Sequence, residues 1–413
     1  MVTDALKFAQ GDPAIGDIHQ WNVWHGTQEK YQDWDKLSGR FVSEFGMQAF
    51  PDSKTVDMFF TEDDAKEKYP ESSTVSFHNK AVGHDRRLGI YLTENLPYRF
   101  HPFGYYIYCT QVMQADCIAT ALRLWKRQWK GPNKEYCAGA LVWQANDCWP
   151  CVSWSIADYY LRPKLAYYAL KRELSGVTVG MKRIVTKMPF EGDISAHIRT
   201  IHKIELWVCN FEMEVRHVEL QISTYNLDTQ TQVEHPELTR VVEVLPNRST
   251  EIMMFEIPVL EKGMGEEEQT LVIATMIQRC FTNDYFVNWP EPLKYLHLPK
   301  PRLLLEITRS STAAVNVIRS LQISSDVPVK SVAVEFEDVD NRGDSIVDDN
   351  GFDLVPGRVK VMTITGLRNV QKPKARVRYL GSEDEDFHEL YVMPPPECFR
   401  NVCNMTVNLS SSR

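Results

Sequence analysis

The stretch Gly39-Arg40-Phe41-Val42-Ser43-Glu44-Phe45-Gly46-Met47 decides how the rest of the chain is read. It is a short apolar run that carries one carboxylate near its end and is stopped by a glycine. Period-two alternation puts Arg40, Val42 and Glu44 on one face of a strand and Phe41, Ser43 and Phe45 on the other. A helical pattern follows from about Thr55 to Lys68. Tyr105 to Lys130 then contains neither Pro nor Gly, and its apolar residues recur at helix-compatible intervals through Ile107, Val112, Ile118, Leu122 and Trp125. This spacing predicts an amphipathic helix of about five turns or more, closed by Gly131-Pro132. Cys137-Ala138-Gly139-Ala140-Leu141-Val142-Trp143 reads as a short, doubly buried parallel strand. Tyr159 to Glu173 reads as a last helix, with Pro163 near its start and Lys171-Arg172 at its end. Strand, helix and strand in that order predict a layer of βα repeats. In a βα barrel, a carboxylate at the carboxyl end of a strand lies at the catalytic mouth, so Glu44 is the leading catalytic candidate. A strand-terminal ion pair is the plainer alternative.

After Ser175-Gly176 the texture becomes all-β. Lys203 to Val208, Val218 to Ile222, Val241 to Val244, Ile252 to Phe255 and Leu271 to Ala274 are short apolar runs at roughly ten-residue spacing, the pattern of a β-sandwich. A Pro-rich bridge from Trp289-Pro290 to Lys300-Pro301 precedes a second set: Leu303 to Ile307, Val315 to Ile323, Val332 to Phe336, Arg358 to Ile364, Arg376 to Leu380 and Met405 to Leu409. The expected division is an α/β part over residues 1–175 and sandwiches over 176–298 and 299–413.

Composition narrows the function classes. The 413 residues hold 46 Lys+Arg against 55 Asp+Glu, a net charge of −9, and no basic stripe, which argues against a nucleic-acid binder. No apolar stretch reaches the roughly 18 residues of a spanning helix. An aromatic content of 11% is too rich for a disordered chain. Nine scattered cysteines, an odd number, do not read as a disulfide framework, so buried thiols in a reducing, cytoplasmic compartment are expected. The first ten residues lack the pattern of a signal peptide. Glycosylation-type triplets at Asn247, Asn404 and Asn408 matter only for a secreted chain, and secretion is left open.

Two further segments carry chemistry-bearing residues. Gly16-Asp17-Ile18-His19-Gln20-Trp21-Asn22-Val23-Trp24-His25-Gly26 packs two Trp and two His together. Aromatic faces beside hydrogen-bonding side chains suit a sugar cleft, because pyranose C–H faces pack on rings while the hydroxyls need donors and acceptors. A Trp-rich core corner is the bland alternative. A metal site is not expected, since His19 and His25 lack carboxylate or thiol partners at ligand spacing. Trp143-Gln144-Ala145-Asn146-Asp147-Cys148-Trp149-Pro150-Cys151-Val152-Ser153-Trp154 suggests a polar and aromatic patch at the end of the next strand. Its Cys148/Cys151 pair has redox spacing, but not the strand-to-helix context of a redox motif. Asp338 to Asp349 mimics a calcium loop with Arg342 at the fifth position and no closing Glu, so a solvated hairpin is expected. Glu266-Glu267-Glu268 reads as an acidic loop tip.

In this order and spacing the three segments, followed by Asp158-Tyr159-Tyr160-Leu161-Arg162-Pro163-Lys164, resemble the β-mannosidases of glycoside hydrolase family 2, above all the fungal intracellular type. The resemblance covers nearly the whole chain, including Asn350 to Gly357. It implies the carboxy-terminal part of a (β/α)₈ TIM barrel followed by two immunoglobulin-like β-sandwich domains. It also implies retaining hydrolysis of terminal β-D-mannose, with no metal or organic cofactor. Glu44 matches the nucleophile, Trp143 the aromatic residue closing the last barrel strand, and His19, Trp21 and Trp24 the sugar-lining stretch; Asn146 and Asp147 join them as substrate-binding candidates. The implied partners are β-mannoside oligosaccharides or glycan ends, with a homodimer left open. The family's acid/base Glu follows an Asn upstream of the nucleophile. Here Glu29, the sole Glu before Glu44, does not match it, so the chain reads as a carboxy-terminal half lacking that group. Another exo-acting family member, such as an exo-β-glucosaminidase, and a non-catalytic sugar-binding fragment are the alternatives.

Overall fold

The computed structural model describes residues 13–189, 198–257, 261–263, 266–267, 269–278, 284–309, 319–337, 345–366, 373–383, 385–390 and 392–393. The chain forms two compact units, Met1–Pro299 and Lys300–Arg413.

The first unit opens with a three-stranded parallel sheet of β1 (Ile18–His19), β2 (Val42–Phe45) and β3 (Ala140–Val142), in that order. The register pairs His19 with Glu44 and Phe45 with Val142. All three strands run the same way, so the segments that leave their carboxyl ends gather along one edge. Short helices α1 (Ser53–Asp57) and α2 (Ser73–Phe77) and the longer α3 (His84–Asn95) lead into α4 (Phe103–Arg127). The expected long helix is therefore present. Its apolar residues Ile107, Val112, Ile118, Leu122 and Trp125 are all buried. Trp125 stands edge-on to Phe45 of β2 (4.7 Å) and to Trp34 (5.0 Å). Both indoles are satisfied in this dry corner: Trp125 Nε1 donates to the Trp34 carbonyl at 2.8 Å, and Trp34 Nε1 to the Cys117 carbonyl at 3.1 Å. Among the described residues, no helix is long and apolar enough to cross a membrane.

Two local expectations need correction. The Thr55-to-Lys68 pattern is not one helix but α1 and a separate 3₁₀ turn, Ala65–Glu67. Asp52 caps the start of α1 through the Lys54 amide, but beyond it Thr61 Oγ1 donates to Asp64 at 2.8 Å, a local side-chain bond that holds a turn and competes with helix propagation. β3 is not doubly buried, because Leu141 is 55% exposed and β3 pairs only with β2 among the described residues. The last helix, α5 (Leu165–Glu173), begins just after Pro163 and Lys164.

The all-β part of this unit pairs β4 (Val177–Pro189), β5 (Ile198–Asn210) and β9 (Arg248–Ile257) in one sheet. The facing sheet orders β13 (Asp284–Asn288), β12 (Thr270–Gln278), β6 (Arg216–Asn226) and β7 (Thr231–Glu234), with β8 (Arg240–Val244) also on β6. Alternate residues point inward: Ile204, Leu206 and Val208 on one side meet Val218, Leu220, Ile222, Val272, Ala274 and Met276 on the other. Each such side chain, taken from water, contributes about 1.5–3 kcal/mol, which closes the sandwich. Glu266 and Glu267 are not a loop tip but the short strand β11, paired with β10 (Glu261–Gly263). At the end of α4, Arg127 reaches Glu205 of β5 and Glu251 of β9 and lies over the Trp207 ring, joining the helical and sandwich parts.

The described residues of the second unit form two sheets. One orders β17 (Ile346–Val347), β19 (Val359–Thr365), β15 (Arg319–Ser325), β14 (Leu303–Arg309) and β22 (Val392–Met393). The other orders β18 (Phe352–Leu354), β16 (Val329–Phe336), β20 (Lys374–Arg378) and β21 (His388–Glu389). Ile307, Leu321, Ile323, Val332, Val334, Met362 and Ile364 are buried. Asn350 clips the β16 backbone, accepting from the Val334 amide at 2.8 Å and donating to its carbonyl at 3.0 Å. The expected strand Met405 to Leu409, most of the calcium-loop mimic, Asn404 and Asn408 lie outside the described residues.

Candidate active site

Parallel pairing of β1 with β2 sets His19 beside Glu44. The chain turns immediately after β1, with the Gly26 amide donating to the Trp21 carbonyl at 2.6 Å, so Trp21 folds back over the strand end. Trp21 Nε1 donates to Glu44 Oε2 at 3.2 Å, and His19 Nδ1 lies 3.4 Å from the same oxygen. The Glu44 side chain stays 28% exposed, fixed by two neighbours and open to an incoming molecule. Period two does not describe its strand fully. Val42 and Phe45 are the buried residues, because Phe45 meets α4 while Glu44 reaches the rim.

An aromatic wall stands beside the carboxylate. The His25 ring stacks on Trp154 (centroids 5.6 Å, 28°), and both lie edge-on to Trp21, at 5.4 and 6.2 Å. Burial, helped by the nearby positive charge of Arg87, pulls the His25 pKa below its ordinary value. His25 therefore stays neutral at neutral pH, offering one donor and one acceptor rather than a charge.

Trp143 lies at the rim, 43% exposed, with its amide donating to the Phe45 carbonyl at 2.8 Å. Its carbonyl oxygen crosses directly over Gly46, where an added Cβ would collide with it. Glycine is required there by close backbone approach rather than by a special φ.

Three of the expected site residues are placed differently from the rest. Trp24 is fully buried, stacked on Tyr91 (6.2 Å, 21°), and its amide donates to Tyr91 Oη at 2.7 Å. It backs the turn and is not part of the wall: three residues beyond Trp21, with φ at 79°, it is turned into the core. Asp147 is also buried, accepting from Ser155 Oγ at 2.6 Å and Gln144 Nε2 at 3.2 Å. It is a tether of the loop after β3 and presents no carboxylate to a ligand. Asn146 is exposed, with Nδ2 donating to the Asp147 carbonyl at 3.2 Å. The structure thus brings together His19, Trp21 and Glu44, puts Trp143 at the rim, and withdraws Trp24 and Asp147. His25 and Trp154 were missed as wall residues. Both stand in the Trp-rich segments, but only the fold shows that they pack against Trp21, the ring that bonds the carboxylate.

Lys164 anchors the same loop from beneath. It is wholly buried, and its Nζ donates to the carbonyls of Ala49 (3.1 Å) and Ser153 (3.2 Å). Burial pulls its pKa down to about 8, against the opposing pull of Asp147, Cys151 and Asp158. The six described cysteines are free thiols, all buried except Cys148. Among the described residues, no group of three His, Cys, Asp or Glu is arranged to hold a metal ion.

Residues 202–295 match the Mannosidase Ig/CBM-like domain family, and residues 298–380 match an Ig-fold domain family. Beta-mannosidase B of Thermothelomyces thermophilus is 46% identical over 372 residues, covering 90% of this chain and 42% of that protein. Beta-mannosidase B of Aspergillus niger is 40% identical over 372 residues, 90% of this chain and 41% of that protein. The chain therefore spans about two-fifths of the length of the curated relatives it matches. Among solved structures, the β-D-mannosidase of Dictyoglomus thermophilum superposes with a TM-score of 0.69 at 24% identity, over 93% of this chain and 41% of that one. The exo-chitosanase of Amycolatopsis orientalis superposes with a TM-score of 0.61 at 14% identity, over 92% and 45%. Both structural likenesses bear on the fold alone.

Proposed function

We propose that the chain belongs to the β-mannosidases of glycoside hydrolase family 2 and, on that premise, that Glu44 is the nucleophile of a retaining exo-β-mannosidase. One observation carries the reading. At the carboxyl end of a central parallel strand, a carboxylate is oriented by an indole N–H and an imidazole, and it remains open beside an aromatic wall. Trp21, His25 and Trp154 take the pyranose C–H face, and His19 and the rim residue Trp143 border it. Glu44 attacks the anomeric carbon, the glycosidic bond breaks, and water hydrolyses the resulting mannosyl ester. The Trp21 N–H supports this reading by holding the attacking oxygen in place.

A retaining mechanism needs a second carboxyl group about 5–5.5 Å from the first, to protonate the leaving oxygen. We assign that role to a residue in the part of the relatives that this chain does not span. In this reading residues 1–175 form the closing portion of a (β/α)₈ barrel, followed by sandwiches over 176–298 and 299–413. The substrates are β-mannoside oligosaccharides or glycan ends. Six described cysteines without a disulfide suit a cytoplasmic protein. The fold shared with an exo-chitosanase keeps a β-glucosaminide as the second substrate class.

Labelling with a 2-deoxy-2-fluoro-β-mannosyl fluoride tests the assignment in a protein extended to the relatives' full length. The expected adduct is on the peptide bearing Glu44, and Glu44→Gln abolishes it. An adduct on another carboxylate overturns the assignment. Comparing cleavage of aryl β-mannoside with aryl β-glucosaminide decides the sugar.

A further inference from the structure

Phe77, the last residue of α2, is 62% exposed, and its ring meets Trp149 at a right angle (centroids 6.0 Å, 90°). A lone exposed phenylalanine needs no explanation. This one forms a built corner. The Trp149 ring is backed by His78 (5.0 Å, 18°), which is stacked in turn on the buried Phe59 (4.0 Å, 5°). His78 Nδ1 donates to the Pro150 carbonyl at 2.8 Å, and its own carbonyl accepts from the Val152 amide at 2.9 Å. The aromatic stack and the loop that carries it are thus fixed before any ligand arrives, which lowers the cost of binding. The Lys80 ammonium lies over the Phe77 ring, 3.9 Å from its centre, and 5.5 Å from the centre of Trp149, bringing hydrogen-bond donors into the corner.

We propose that the Phe77–Trp149 corner, with Lys80 over one face of the Phe77 ring, is a second carbohydrate-binding platform, seating a sugar farther along the β-mannoside chain whose end enters the Glu44 hollow. Ring faces for C–H surfaces beside donors for hydroxyls are the chemistry a pyranose requires. Continuity with the hollow gives the direction of the chain. Trp149 and Trp154 belong to the same loop after β3, and Trp154 lies in the wall beside Glu44. Five residues of extended backbone span at most about 18 Å, so the two platforms are within reach of one oligosaccharide. The direction of that oligosaccharide rests on the reading of Glu44 given above.

The test titrates the 413-residue chain with β-1,4-linked mannotetraose and with methyl β-D-mannoside, following the indole N–H resonances of Trp21, Trp149 and Trp154. The tetrasaccharide is expected to bind about tenfold more tightly than the monosaccharide and to shift Trp149. Phe77→Ala, at an exposed position, should erase that advantage and leave the monosaccharide affinity unchanged; Lys80→Ala should reduce it. An unshifted Trp149, or an advantage that survives Phe77→Ala, overturns the platform whatever happens at Glu44. Failure of the Glu44 reading has its own outcome: Trp21 and Trp154 stay unshifted by either sugar while Trp149 still responds to the tetrasaccharide.

Discussion

The indole of Trp21 donates to Glu44 Oε2 across 3.2 Å, although 23 residues separate them in the chain. The bond exists because two parallel strands end side by side and the chain turns back at once after the first. Trp21→Phe keeps the ring and deletes the donor. A hydrogen bond to a charged group contributes about 1.5–3 kcal/mol, so in a full-length β-mannosidase carrying this segment kcat/KM for an aryl β-mannoside should fall roughly 10- to 100-fold. Circular dichroism should be unchanged. Wild-type kcat/KM in that variant would show that the bond does not orient the reacting carboxylate.

Gly46 and Trp143 make a second contact of this kind. Gly46→Ala drives a methyl group into a backbone oxygen, which cannot rotate aside. Overpacking costs about 1–3 kcal/mol. Chemical denaturation should place the midpoint of the first unit clearly lower, and a midpoint equal to wild type would refute the close approach.

Arg127 ties α4 to β5 and β9. Burial works to raise the Glu251 carboxyl pKa, but the hydrogen bonds and charges of Arg127 and Lys130 overcome it and hold the group below its ordinary 4.5. A carboxyl depressed in this way adds stability above the unfolded value of about 4.5, and that contribution drains away as pH falls through the folded value. Arg127→Ala should therefore lower stability at pH 7 by about 2 kcal/mol, a figure reduced for partial solvent exposure. The gap between variant and wild type should narrow below pH 4.5. Urea midpoints taken from pH 3.5 to 7 measure both effects.

Lys164 predicts the opposite limb of the pH profile. Its folded pKa is about 8, below the ordinary 10.5, chiefly through burial. Between those values the unfolded chain holds more protons than the folded one, so this group makes stability rise with pH across that window. Lys164→Met removes the rise. The wild-type-minus-variant difference in unfolding free energy, measured from pH 7.5 to 10.5, isolates it from other groups titrating there; a flat difference would place the lysine in water.

Much of the architecture was legible because it depends on local periodicity. The apolar spacing from Ile107 to Trp125 specifies one face of α4, and alternation in Ile204-to-Val208 and Val218-to-Ile222 specifies sandwich strands. The region from Thr55 to Lys68 misled for a local reason, since Thr61 spends its side chain on a turn with Asp64. The exposure of Leu141 could not be read from an apolar run, because burial depends on which neighbours a strand has.

The sequence by itself determined the order of strands and helices, the change to sandwich texture near residue 176, and Glu44 as the carboxylate at a strand end, since each follows from spacing along the chain. Only the tertiary structure decided which aromatic rings attend that carboxylate. Trp21 comes to it, with His25 and Trp154 packed against the Trp21 ring, while Trp24 and Asp147 turn inward, because strand pairing and turn geometry assign each side chain its face, and neighbours in sequence are free to take opposite ones.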